Sequence, residues 1–363
     1  MYVHSAHAER EVHAAVTGPA RSRRNAQYGL LTAVADEVGV SLATVSKVVH
    51  RRRDVSEATR ARIEALLAER GYVRDWESEA RRPRQILAVF RDLAGPYTLE
   101  VVRGIVESAA EVGVHTVVGT TSRRSIARWL EESVALGTVG VVIVISALAE
   151  QDQRRIVDQG LPVVLVDPLN APSEDIPSVG VTNWHGATTA VQHLIDLGHR
   201  RIGMLAGRSS SLAGSARLHG YRAALAEAGI PYDSALVRST DFDYGEALRA
   251  ARHVLDRSDR PTALFAASDV QALGALEAAR QLGVAVPAGL SVMSFDDTLV
   301  AAMASPPLSA IRQPFRELGQ EATRVLLHLA DGGPPATSRR ELATELVVRT
   351  STAPPLADRV RPV

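Results

Sequence analysis

The sequence of 363 residues has no cysteine. That excludes disulfide staples, thiolate metal sites and cysteine nucleophiles, and is compatible with a reducing compartment. Lysine is nearly missing too: of 41 cationic residues all are arginine except Lys47. No run of about 18 uncharged apolar residues occurs, and the N-terminal MYVHSAHAER lacks the apolar stretch of about 7–15 residues found in a secretory signal. The chain therefore reads as cytoplasmic, without a membrane partner. The sequence also lacks a G-x-S-x-G elbow, an H-E-x-x-H pair, a G-x-G-x-x-G fingerprint and a phosphate loop ending in G-K-[ST], which argues against an enzyme. His185, His193, His199 and His219 have no metal-ligand spacing, so no cofactor and no metal is expected.

The formal net charge is zero but unevenly spread: residues 1–84 hold 15 cationic against 11 acidic side chains, and residues 85–363 hold 26 against 30. The basic end is the part suited to a polyanion. The length exceeds one domain of about 100–200 residues.

Residues 1–28 show no periodicity and read as an unstructured or basic tail. Residues 29–73 form a three-helix unit, with amphipathic helices at 32–38, 42–49 and 57–70 broken by Gly39 and by the loop His50-Arg51-Arg52-Arg53. Residues 74–85 are a charged linker, and Pro83 stops a helix there because it has no N–H and disfavours helical geometry just before it. From residue 86 to 363, β-branched runs such as ILAVF (86–90), GVVIVIS (140–146), PVVLVD (162–167), TALFAAS (262–268) and SVMSFD (291–296) alternate with helical stretches. Continuous apolar strands between helices imply parallel sheets covered on both faces. These strands exceed one compact sheet, and the Pro-rich segment 168–177 interrupts them midway, so the fold class is α/β with two lobes and a cleft between them.

In the three-helix unit, Thr32 and Ser41 can each cap a helix. Val34, Ala35, Val38, Val45, Val48 and Val49 supply the inner faces. The opposite face of the second helix carries Leu42, Ala43, Thr44, Ser46 and Lys47, a small and polar surface that fits a major groove. A bare helix pair would show the same periodicity; the sharper signal is V-S-x-x-T-V-S-K at Val40, Ser41, Thr44, Val45, Ser46 and Lys47, followed by V-S-x-x-T-R at Val55, Ser56, Thr59 and Arg60, then Gly71-Tyr72. With these motifs, LTAVADEVGVSLATVSKVVHRRRDVSEATRARIEALLAERGYV resembles the helix-turn-helix head of the lactose-repressor (LacI/GalR) family. The resemblance implies that Leu42, Ala43 and Lys47 read base edges, while Thr32, Ser41, Thr44 and Ser46 face phosphates or cap helices. The loop of Arg51, Arg52 and Arg53 then lies near the DNA backbone and adds affinity without specificity. Relatives wedge a leucine from the linker into the minor groove. Counting from Gly71-Tyr72, that position is Arg81, with Arg82 and Pro83 behind it, so a charged minor-groove contact is expected in its place.

The resemblance extends through residues 86–353, carried by IPSVGV (176–181), HLIDLGHRRIGMLAG (193–207), GYRAALAEAG (220–229), PTALFAASD (261–269), SVMSFDD (291–297) and PPLSAIRQP (306–314). It implies a periplasmic-binding-protein-like core whose effector, bound between the lobes, alters the affinity of a homodimeric repressor for an inverted-repeat operator on double-stranded DNA. Ligands of open α/β sheets sit beyond the carboxyl ends of strands. That rule selects Arg91, Asp92, Asp167, Ser268, Asp269 and Asp296, although Asp269 could simply cap its helix. By resemblance Arg217 is the effector-binding arginine, and Phe242 and Phe315 line the cleft. Ser268 departs from the asparagine of many relatives. Several carboxylates at strand ends favour a sugar effector, gripped by Asp92, Arg217 and Asp296 with Phe242 or Phe315 against the ring. Two other readings are a purine-like ligand and an exported solute-binding protein, which would share the core but lack residues 30–73. Trp184 invites the purine reading, yet its place at the head of a helix reads as packing or surface.

Overall fold

The computed structural model describes residues 30–49, 55–70, 84–334 and 338–356. They fall into two compact units whose boundary in the sequence lies between Pro83 and Arg84. The expected tail, the loop bearing Arg51, Arg52 and Arg53, and Arg81 of the linker lie outside the described residues.

The first unit contains α1 (30–38), α2 (Leu42–Val49) and α3 (Glu57–Glu69), close to the bounds expected from the periodicity. Gly39 turns the chain with φ +74°, a conformation that side-chain-bearing residues rarely adopt. The amides of Gly39 and Val40 both return to Ala35 O at 3.0 Å. Val34 and Ala35 of α1, Val45, Val48 and Val49 of α2, and Ile63 and Leu67 of α3 are buried together. Ser41 and Ser56 start their helices in the same way, each accepting from the amide three residues on and sharing a hydrogen bond with that threonine's hydroxyl, Thr44 or Thr59. Thr32 corrects an expectation: helix is already present at residue 30, so Thr32 lies inside α1 and is not its cap. An ion pair from Arg70 to Glu37 ties the end of α3 to α1.

The second unit has two sheets of six strands. The first lobe is built from β1 (Gln85–Phe90), α4 (Pro96–Glu111), β2 (His115–Thr120), α5 (Ile126–Leu136), β3 (Gly140–Val144), α6 (Glu150–Gln159), β4 (Val163–Val166) and β5 (Ser178–Val181). The second contains α7 (Asn183–Asp196), β6 (Ile202–Ala206), α8 (Leu212–Glu227), β7 (Val237–Ser239), α9 (Tyr244–Leu255), β8 (Ala263–Ala266), α10 (Asp269–Gln281), β9 (Ser291–Asp296), α11 (Leu299–Met303) and β10 (Ser309–Arg312). The chain then returns, as α12 (Phe315–Ala330) and β11 (Arg339–Leu342) join the first lobe and β12 (Glu345–Val347) joins the second. All strand pairs are parallel except β10 with β12.

Both sheets are covered on both faces, which is why the strands read as unbroken apolar runs. In β1, Ile86, Ala88 and Phe90 enter one core while Leu87 and Val89 enter another. The Pro-rich segment 168–177 does not separate the lobes, since β5 behind it still pairs with β4. The lobes exchange chain at three places instead: after β5, between β10 and α12, and between β11 and β12. The first and the third of these crossings are tied to each other. Thr182 N–H donates to Leu342 O at 3.0 Å, Thr344 N–H donates to Thr182 Oγ1 at 3.1 Å, and the two threonine hydroxyls lie 3.0 Å apart. The returning helix α12 docks closely on α4 because Gly104 of α4 and Gly319 of α12 lie on the two sides of the contact; a Cβ on either would overlap a backbone carbonyl oxygen, of Arg316 or of Val101.

Candidate functional site

Two surfaces deserve the name of site. In the first unit, α2 exposes Ala43 and Lys47, one helical turn apart, while Val45, Val48 and Val49 are buried beneath. Leu42 is half-buried and packs on the unit's own core, and the hydroxyls of Ser41 and Thr44 are engaged in the cap. Ala43 and Lys47 are therefore the expected base-reading residues most open to solvent.

In the second unit a cavity of about 220 Å³ lies beyond the carboxyl ends of β1, β3, β4, β6, β8 and β9, where the topology of open α/β sheets puts ligands. Arg91, Asp92, Asp167, Arg217, Phe242, Ser268 and Asp296 all line it. The sheets deliver these groups at an energetic cost. Ile145, Asp167, Phe242, Asp296 and Asp297 are the non-glycine residues with positive φ among the described ones, and the first four line this cleft. Such strain, on the order of 1–3 kcal/mol per residue, gathers where function needs a fixed geometry.

Arg217, in the second turn of α8, is the hub. It is 5% exposed; its Nε donates to Asn183 Oδ1 at 2.8 Å, its Nη1 donates to Ala267 O at 2.6 Å, and its guanidinium lies 3.8 Å from the Phe295 ring centroid. Asp296 stands 3.7 Å from Nη1 and accepts from Gln313 Nε2 at 2.6 Å. Burial pushes the Asp296 carboxyl up to about 8, against the opposing pull of Arg217, and pushes the Arg217 guanidinium down against the support of Asp296. From the other lobe, Tyr97 O–H donates to Asp167 Oδ2 at 2.9 Å. Burial raises both groups, for Tyr97 with the Asp167 charge adding to it and for Asp167 with the Tyr97 hydrogen bond opposing it. Acceptors and donors thus converge from both lobes on one cleft.

Two expected residues do not line the cavity. Asp269 is fully buried and its carboxylate is consumed inside the second lobe by Ser294 Oγ at 2.5 Å, Thr298 N–H at 2.7 Å and Thr298 Oγ1 at 2.8 Å. The helix cap is Ser268, which accepts from Gln271 N–H. Phe315 is 4% exposed in the first-lobe core and packs edge-on against Tyr97 with centroids 4.8 Å apart; of this pair it is Tyr97 that reaches the cavity. Tyr97 escaped the sequence reading because it begins α4 and ends no strand, and Gln313 because the strand it follows, β10 (Ser309–Arg312), is too short to show an apolar run. Gln313 Oε1 is buried with no hydrogen-bond partner among the described residues. Arg91 and Asp92 pair with each other at the rim, at 3.2 Å, as do Arg208 and Asp241. Phe242 lies against Gly207, where a Cβ would overlap its ring.

A second cavity of about 270 Å³ adjoins the first along β4, β5 and β11 and shares Asp167 and Ala213 with it. Trp184, expected as packing or surface, lines this compartment and is 49% exposed.

Residues 31–75 match the family described as bacterial regulatory proteins, lacI family, and residues 191–352 match a periplasmic binding protein-like domain. The HTH-type transcriptional regulator CelR of Thermobifida fusca is 34% identical over 331 residues, covering 88% of this chain and 97% of the relative. The HTH-type transcriptional repressor CytR of Escherichia coli (strain K12) is 33% identical over 327 residues, covering 88% and 95%. The solved CelR–cellobiose complex matches with TM-score 0.67 and 34% identity over 88% of this chain and 99% of that one. The lac repressor dimer bound to operator and an anti-inducer matches with TM-score 0.67 and 30% identity, over 88% and 98%.

Proposed function

The chain belongs to the lacI family of bacterial regulatory proteins, and from that premise we propose that it is a homodimeric repressor whose hold on an inverted-repeat operator is set by a sugar bound between the lobes of its core. It is a DNA-binding transcriptional regulator. Residues 29–73 are its reading head, 74–85 the linker and 86–363 the sensing core.

The observation that carries the effector class is the convergence of Asp167, Asp296, Arg217 and Tyr97 on one cleft. Carboxylates accept paired hydroxyls, the guanidinium donates, and the rings of Tyr97 and Phe242 offer apolar faces to the C–H side of a sugar. A buried Gln313 Oε1 without a partner is a further acceptor for a hydroxyl. The site is wired to the crossings, through Arg217 to Asn183 and through Asp296 to Gln313, so a ligand that draws the lobes together acts on the segments about which they move. On α2, Lys47 and Ala43 read base edges while the serine and threonine hydroxyls hold the helix start.

The test is a ligand screen read two ways. A sugar present at 100 times its Kd stabilises the core by about 2.7 kcal/mol through linkage, raising the melting temperature, and shifts operator binding. If only nucleobases or nucleosides do both, the sugar assignment is wrong.

A further inference from the structure

We propose that the effector is a saccharide of at least two units, the second unit occupying the compartment beside the cleft and lying on the indole of Trp184. This rests on the sugar reading of the first compartment and extends it to the length of the ligand.

Each compartment alone, at about 220 and 270 Å³, is smaller than the roughly 300 Å³ at which ligand pockets usually begin, whereas the two combined lie within the usual range. They are neighbours in one slot between the lobes. The first lies under β1, β3 and β4, the second under β4, β5 and β11, and the start of α8 forms the facing wall of both, with Ala213 touching each. Asp167 is their common partition. Its Oδ2 accepts from Tyr97 on the side of the first compartment, and its Oδ1 points at Gly180 of the second, lying 3.3 Å from where a Cβ on Gly180 would be. One carboxylate can thus accept hydroxyls from two successive rings. A second bridge is the hydrogen bond from Arg217, which lines the first compartment, to Asn183, which lines the second.

The chemistry of the second compartment suits a sugar ring. The indole of Trp184 is half-exposed in a cavity wall, an arrangement that gives a flat apolar face to axial C–H groups. Around it stand His185 and the ion pair of Arg339 with Glu341 at 2.8 Å, which provide donors and acceptors for equatorial hydroxyls. No charge dominates there, so a neutral ligand is favoured over a phosphorylated one. At the boundary between the compartments the lobes are joined by Leu212 N–H donating to Leu169 O at 3.3 Å, a long bond that a ligand spanning both compartments has to open.

The experiment is calorimetric titration of the full chain with glucose, xylose and mannose and with their β-1,4 and α-1,4 disaccharides and trisaccharides, followed by intrinsic fluorescence. The expected result is that, in whichever series binds, the disaccharide binds at least tenfold more tightly than the monosaccharide and alters tryptophan emission. Trp184→Ala removes the length preference while monosaccharide affinity is retained. Trp184→Phe keeps the preference but loses the emission change, which separates stacking from a folding defect. A monosaccharide that binds as tightly as its disaccharide, or a length preference that survives Trp184→Ala, overturns the second compartment and leaves the sugar reading standing. If no saccharide of any length binds or shifts operator affinity, both fall.

Discussion

Arg217 Nε donates a 2.8 Å hydrogen bond to Asn183 Oδ1, joining the hub of the effector cleft to the residue at which the chain has just left the first lobe. Asn183 is in turn fixed by its Nδ2 donating to Val181 O at 3.2 Å, at the end of β5. A ligand that competes for the guanidinium therefore acts directly on a crossing.

Replacement of Arg217 by alanine removes the donor to Asn183, the donor to Ala267 O and the counter-charge to Asp296 at one stroke. Breaking a buried pair typically costs about 3–5 kcal/mol. Because the Asp296 carboxyl already titrates near 8, it takes up a proton instead of persisting as an uncompensated anion, so the loss should fall at the lower end, about 3 kcal/mol. Urea unfolding of the unliganded chain measures this, and the variant should show no effector-induced rise in melting temperature.

Stability of the unliganded core should depend on pH through Asp296. Its folded value is raised to about 8, above an unfolded value of about 4, so between the two the folded state holds more protons than the unfolded one. Stability therefore falls as pH rises from about 4 to about 8 and levels off above that. Asp296→Asn should flatten this slope in denaturation curves taken across the range. The flattening is partial, because burial also raises Asp167 and Asp269.

Lys47→Ala should weaken operator binding by about 1–3 kcal/mol and relax the preference at a single base pair, if its ammonium reaches a guanine edge. Binding measured against a set of operators with single substitutions decides this. An equal loss on every operator, with a smaller salt slope, would make Lys47 a phosphate contact.

Gly207→Ala should displace the Phe242 ring, which fills the space a Cβ needs. The ring can swing, so the melting temperature of the unliganded protein should change little while effector affinity drops by about 1 kcal/mol, roughly fivefold. Gly104→Ala should do the opposite. There the obstacle is the Arg316 backbone carbonyl, which cannot move without shifting α12, so the core should lose about 1–3 kcal/mol with no direct loss of ligand contacts.

The helices of the reading head and most strands were legible because each follows a local rule. Ser41 and Ser56 offer an oxygen at the right spacing from the next amides, and buried parallel strands must be apolar throughout. The strand-end residues Asp167 and Asp296 were legible for the same reason, since a parallel sheet places its ligand beyond those ends. Short strands such as β7, β11 and β12 were not, because their residues (Val237–Ser239, Arg339–Leu342, Glu345–Val347) carry too few apolar positions to repeat a pattern; pairing with a neighbouring strand makes them strands.

What the sequence determined by itself was the family, the division into head and core, and the polar residues offered at strand ends, all of which depend on neighbours along the chain. Only the tertiary structure decided which of those polar groups face the cleft. Asp269 and Asp296 both lie at strand or helix ends, yet Ser294 and Thr298 consume one while the other opens onto the cavity. Tyr97 takes the position expected of Phe315, and Trp184, expected as packing or surface, lines the wall of a second compartment. Hydrogen bonds and burial are settled between segments far apart in sequence, so the local pattern could nominate these side chains but not assign their partners.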